Sequence, residues 1–180
     1  MNPPDAITAT RRWVDRAVIG LDLCPFARAV QLSDRIRYTI SSATNEVDLA
    51  DALQRELLLL ADTDPSECET TLLIHPHVLT NFLDFNDFLE VADAIVAELN
   101  LEGIIQVASF HPDYQFADSQ PDDVENFTNR SPYPTLHLLR ESSIDRAVES
   151  MDDTAEIYEK NVKTLRRIGR EGWAQLFRDD

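Results

Sequence analysis

Between residues 36 and 110 the hydrophobic period switches repeatedly between two residues and about 3.6, and this alternation restricts the fold more than any other feature of the chain. Ile36, Tyr38 and Ile40 alternate with Arg37 and Thr39, the pattern of a half-buried strand. Residues 46 to 61 carry Val47, Ala50, Leu53, Leu57 and Leu60 at helical spacing, with Asn45 as cap. Thr70-Thr71-Leu72-Leu73-Ile74 is a short, apolar, β-branched run that predicts a buried strand, ended by His75-Pro76-His77. Residues 84 to 99 form a broad apolar helical face behind Asp84 as cap. Ile104 to Phe110 is a third strand, entered through Gly103 and stopped by His111-Pro112. Strands that alternate with helices are joined by right-handed crossovers and run parallel.

The flanking segments complete the expected architecture. After a loose start containing Pro3 and Pro4, residues 6 to 19 predict a first helix stopped by Gly20. Pro25 suits the first position of a short helix reaching about Gln31, which would make Cys24 its N-cap. Residues 111 to 134 follow neither period and hold four prolines. Their aromatics, Tyr114, Phe116, Phe127 and Tyr133, argue for an ordered loop. Thr135 to Leu139 is a fourth, antiparallel strand, and residues 154 to 168 a last helix, with Asp153 and Glu156 at capping-box spacing and Gly169 behind. The expectation is a single α/β domain over residues 1–180, with α+β as its variant. A mixed four-stranded sheet, three parallel strands plus one antiparallel, would pack with four or five helices. A chain of 180 residues, 43% hydrophobic and 27% charged, has the balance of a globular domain with one packed core.

The formal net charge of -17 repels phosphate backbones and anionic headgroups, so neither nucleic acid nor a membrane surface is the expected partner. No run reaches the roughly 18 apolar residues of a membrane span. Cys24 and Cys68 show no paired spacing, which fits a reducing cytoplasm. Homo-oligomerisation is left open but is not indicated, and no nucleotide-binding motif is present.

In open α/β sheets, ligands bind outside the carboxyl ends of the strands. That rule gathers His75, His77, His111 and Asp113 at one edge, together with the loop bearing Asn129, Arg130 and Ser131. A thiol at the N-cap of the Pro25 helix would join them and would gain nucleophilicity from the unsatisfied backbone amides. The expected catalytic set is Cys24 as nucleophile or redox thiol with His111 or His75 as base. Arg130, Asn129, Ser131 and Tyr114 would bind an anionic substrate. The blander expectations are a buried, inert Cys24, imidazoles that bond strand-end backbone, and an Arg130 that ties its own loop together. His137, mid-strand among leucines, reads as a satisfied sheet histidine.

Three strings carry a resemblance to a known family: Val18-Ile19-Gly20-Leu21-Asp22-Leu23-Cys24-Pro25-Phe26-Ala27, Ser109-Phe110-His111-Pro112-Asp113-Tyr114-Gln115-Phe116-Ala117, and the stretch from Glu125 to His137. The chain resembles, over nearly its whole length, the bacterial domain-of-unknown-function family fourteen-fifteen. The resemblance implies a bacterial, cytoplasmic, single-domain protein and assigns no activity to any position.

The leading expectation is therefore a small-molecule enzyme with a thiol and imidazole site at the carboxyl edge, acting on an anionic substrate. One alternative is an enzyme whose divalent metal is held by His75, His77, His111 and Asp113. The other is a non-catalytic binding or assembly module that uses the aromatic loop as an interface.

Overall fold

The computed structural model describes residues 3–149 and 154–178. Helix α1 spans Pro3–Trp13 and passes directly into a π-helical segment, Val14–Ile19. The two prolines therefore open a helix, where their missing N–H groups cost nothing, and do not form a loose start. Helix α2 is Ala27–Leu32, β1 Ile36–Ile40, α3 Glu46–Asp62, β2 Thr70–Ile74, α4 Phe82–Glu98 and β3 Ile105–Phe110. A 3-10 helix, Val124–Asn129, lies within the long loop. Then come β4 (Thr135–Arg140), α5 (Glu141–Glu149) and α6 (Thr154–Gln175).

The fold is mixed α/β with a four-stranded mixed sheet, in the order β1-β2-β4-β3. The expected three-strand parallel arrangement is corrected: only β1 and β2 pair in parallel, with Ile36 opposite Thr70. β3 points the same way, but β4 lies between it and β2 and pairs antiparallel with both. Local periodicity reports that a segment is a strand and which face is apolar; it carries no information on which strand lies beside it.

Alternation along the strands divides the sheet into two faces. Leu73, Ile105, Leu136 and Leu138 pack against Leu49, Leu53, Leu57 and Leu60 of α3 and Phe85, Phe88, Ala92 and Val96 of α4. Val47, expected on that stripe, is exposed, and Leu49 takes the buried position. On the opposite face Ile36, Tyr38 and Leu72 pack against Trp13, Val14 and Ala17. All five residues of β2 are buried because helices cover it on both sides.

Helix ends follow side-chain chemistry. Asn45 caps α3 by accepting the Asp48 N–H at 3.0 Å. α4 starts two residues before the expected Asp84, because Asn81 Oδ1 accepts the N–H groups of Leu83 and Asp84. α2 begins at Ala27 with Phe26 as its cap residue, so Cys24 is not an N-cap. α5 has no counterpart in the expected elements, and α6 breaks where expected at Gly169, whose φ 61 and ψ -173 are not helical, before a second helical stretch runs on to Gln175. The proposed Asp153 cap lies outside the described residues, and nothing is described of the Glu156 side chain.

Candidate functional site

His75 and His111 follow β2 and β3 at the same edge, and strand alternation turns both rings toward α4. There the Phe85 ring stands 5.5 Å from His75 and 5.2 Å from His111. Both histidines are fully buried. His75 Nδ1 lies 3.0 Å from the Val78 carbonyl and so donates to it. His111 Nε2 lies 3.2 Å from the Leu79 carbonyl, while its Nδ1 accepts the Asp113 N–H at 3.0 Å. Burial pushes His75 down to about 4 and lowers His111 from the ordinary histidine range. Neutral rings bonded to backbone carbonyls of residues 78 and 79 hold the turn into α4. His111 keeps no nitrogen for a metal ion, and His77 and Asp113 are exposed. Among the described residues no group of three or more His, Cys, Asp or Glu side chains could hold a metal ion.

The expected anion-binding residues are engaged with their own loop. Asn129 Nδ2 donates to Ser109 O at 3.2 Å and Ser131 Oγ to Tyr133 O at 2.6 Å. Arg130 donates to Tyr114 O at 3.2 Å and Pro121 O at 2.7 Å, with its guanidinium 5.0 Å from the Phe127 ring centre. Burial raises the pKa of the Tyr114 hydroxyl, and the Ser109 side chain partly offsets the rise. At the centre of the loop is Asn126, which the sequence reading did not single out. Its Oδ1 accepts from Phe116 N–H at 3.0 Å and Ser119 Oγ at 2.7 Å, and its Nδ2 donates to Gln120 O at 2.7 Å. Arg130 and Ser131 also border a hollow of about 620 Å³ with Arg12 and Trp13. Arg12 there donates to Phe177 O at 2.6 Å, so both arginines are already committed to backbone.

Cys24 lies elsewhere. It lines a cavity of about 440 Å³ on the sheet face opposite α3 and α4. Trp13, Val14, Ile36, Leu72, Phe110 and Leu139 make its apolar wall, and His137 and Thr70 stand on its floor. The sheet itself separates the thiol from His75 and His111, so the expected convergence of the three is corrected. The physical reason is parity: residues 75 and 111 share the face of Leu73 and Ile105, while Thr70, Leu72 and His137 share the other. With Phe26 as the cap of a six-residue helix, the backbone amides expected to activate the thiol are not offered to it either.

The cavity's rim is charged. Buried Glu69 meets Arg35 at 2.7 Å and Arg146 at 2.9 Å, and it also accepts the Ser143 hydroxyl. Arg140, at the same end, donates to Leu60, Thr63 and Cys68 carbonyls and serves the C-terminus of α3. His137, expected from the sequence to be a satisfied sheet histidine, faces this cavity. Its Nε2 is 2.7 Å from Thr70 Oγ1, a partner 67 positions away, and no local pattern announces such a pairing. Burial pushes its pKa down to about 4, so the ring is neutral at neutral pH.

Among the described residues no helix is long and apolar enough to cross a membrane. No curated protein and no solved structure matches the chain. The family described as protein of unknown function (DUF1415) matches residues 5–175, nearly the whole length that carries the sheet, both faces and the cavity, and the chain belongs to that family.

Proposed function

We propose that the cavity on the sheet face is a small-molecule site in a bacterial cytoplasmic protein, and that its ligand joins an apolar body to an anionic group. The observation that carries this reading is the meeting of a thiol, an imidazole and a surplus of guanidinium charge in one cavity of about 440 Å³. That volume is within the usual range for ligand pockets, which are mostly apolar with few polar groups. At the rim, Arg35 and Arg146 face one carboxylate, Glu69, leaving net positive charge in a chain whose total is -17. A local positive site in an acidic protein selects anions.

Cys24 brings a nucleophile to the wall of that site, and this keeps the enzyme reading with a changed partner. His137, neutral because buried, acts there as a hydrogen-bonding group and not as the cation of a thiolate pair. The single experiment is alkylation of Cys24 by iodoacetamide with and without phenylpropionate or decanoate. Both carboxylates should slow Cys24 labelling and leave Cys68 unaffected, and the Arg35→Gln, Arg146→Gln double variant should lose the protection. Unchanged Cys24 labelling at saturating concentrations of both compounds would refute the site.

A further inference from the structure

We infer that the ligand of this cavity presents a hydrogen-bond donor, a hydroxyl or N–H, to His137 Nδ1, within about 10 Å of its anionic group. The inference rests on the reading above and narrows it to hydroxylated or N–H-bearing apolar anions. It begins with one proton. Thr70 Oγ1 lies 2.6 Å from the Leu138 carbonyl oxygen, and a carbonyl cannot donate, so the hydroxyl hydrogen of Thr70 occupies that contact. The same oxygen is 2.7 Å from His137 Nε2. With its only hydrogen spent, Thr70 can meet that nitrogen only as acceptor, and Nε2 must therefore carry the ring proton.

A neutral imidazole protonated on Nε2 has its lone pair on Nδ1. Among the described residues Nδ1 has no hydrogen-bond partner, and it is not one of the sealed, unpartnered atoms. The ring lines the cavity, so this lone pair is offered to whatever fills it. An acceptor in an apolar cavity rejects an occupant that cannot donate to it, because binding strips the acceptor's water without replacing it. Thr70 is thus a positioning residue: it sets the tautomer, and the tautomer sets which ligands fit.

The sheet supplies the spacing. Glu69, which anchors both rim arginines, precedes Leu72 by three residues, and Leu72 is the β2 partner of His137. Extended chain advances about 3.3 Å per residue, so the Glu69 backbone stands about 10 Å from the His137 rung, and the ring, leaning to Thr70 Oγ1 at 2.7 Å, shortens its distance to the rim. An extended para-hydroxyphenylpropionate spans a distance of that order.

The test compares para-hydroxyphenylpropionate, phenylpropionate and para-methoxyphenylpropionate by calorimetry on the full chain, and reads the His137 tautomer from its ¹⁵N shifts. The phenol should bind about tenfold or more tighter than the other two, the penalty for leaving a buried acceptor unmade. Thr70→Val should shrink that preference, and the ¹⁵N spectrum should show the proton on Nε2. Equal affinity for the three compounds, or a proton on Nδ1, overturns this inference while leaving the cavity as a binding site. No binding by any of them overturns both.

Discussion

The backbone of Gly20 passes so close to Arg16 that a Cβ built on it would stand 2.2 Å from the Arg16 carbonyl oxygen. Gly20 itself has φ -63, so it is required for space and not for a left-handed turn. The wide π-helical turn of Val14–Ile19 creates the close approach, and the same turn sets Val14 and Val18 into the cavity wall. Gly20→Ala must therefore push the turn apart. It should cost about 2 to 4 kcal/mol in urea unfolding, in the range of backbone strain combined with repacking. It should also change the accessibility of Cys24 to alkylation.

Asn126 is expected to be the least replaceable side chain of the long loop. Asn126→Ala removes three hydrogen bonds made by a fully buried side chain and takes from the Phe116 N–H and the Gln120 carbonyl the partner that holds them. The cost should be on the order of 2 to 4 kcal/mol, and limited proteolysis should cut residues 111 to 134 faster than in the native chain. Cleavage at the native rate would contradict this account of the loop.

Arg140→Lys should destabilise nearly as much as Arg140→Met. Nη2 alone meets the carbonyls of Leu60, Thr63 and Cys68 at 2.7, 2.6 and 3.0 Å while Nε bonds Cys68 O at 3.3 Å, and the shorter lysine side chain cannot bring its ammonium to the place of Nη2 or replace the Nε donor. Each variant should lose about 3 kcal/mol, read from the denaturation midpoint at constant slope.

Stability should fall with acid between pH 6.5 and 4. His75 and His137 are held near 4 by burial, while the unfolded chain protonates them near their ordinary value of 6.5. In that window the unfolded state binds more protons, so folding weakens as pH drops, and the full contribution is present only above 6.5. Each histidine accounts for roughly 3 kcal/mol across the window. The measurement is urea midpoints from pH 7 to 4, with NMR titration of both rings. Rings that protonate near 6.5 in the folded protein would contradict the assignment.

Glu69→Gln should separate binding from stability. The substitution releases Arg35 and Arg146 from their shared carboxylate, so phenylpropionate should bind several-fold tighter while the unfolding free energy falls. Weaker binding would mean that Glu69 orients those arginines more than it competes for them.

What the sequence made legible was what neighbours in sequence decide. The apolar stripes of α3 and α4, the alternation of β1 and the buried run of β2 are local patterns that survive folding because one face of each meets the core. The helical start of α1, the Asn81 cap and the whole of α5 went unread. Pro3 and Pro4 serve equally as loop and first-turn residues, and Glu141 follows Arg140 with no turn residue to mark a boundary. The candidate site was harder. That Cys24 shares a cavity with His137, and not with His75 or His111, depends on which face each strand presents. It also depends on β4 entering between β2 and β3, and neither is written in any short window.

The central place of β4 bears on how the chain is made. During synthesis from the amino terminus, β2 and β3 are both made before residues 135–140 exist, and each lacks the neighbour it will bond in the finished sheet. Until that last strand arrives, two bare edges stand open to other nascent chains. A fragment released after ending before Thr135 would therefore be primed to aggregate, whereas one that extends past Arg140 holds every strand of the sheet.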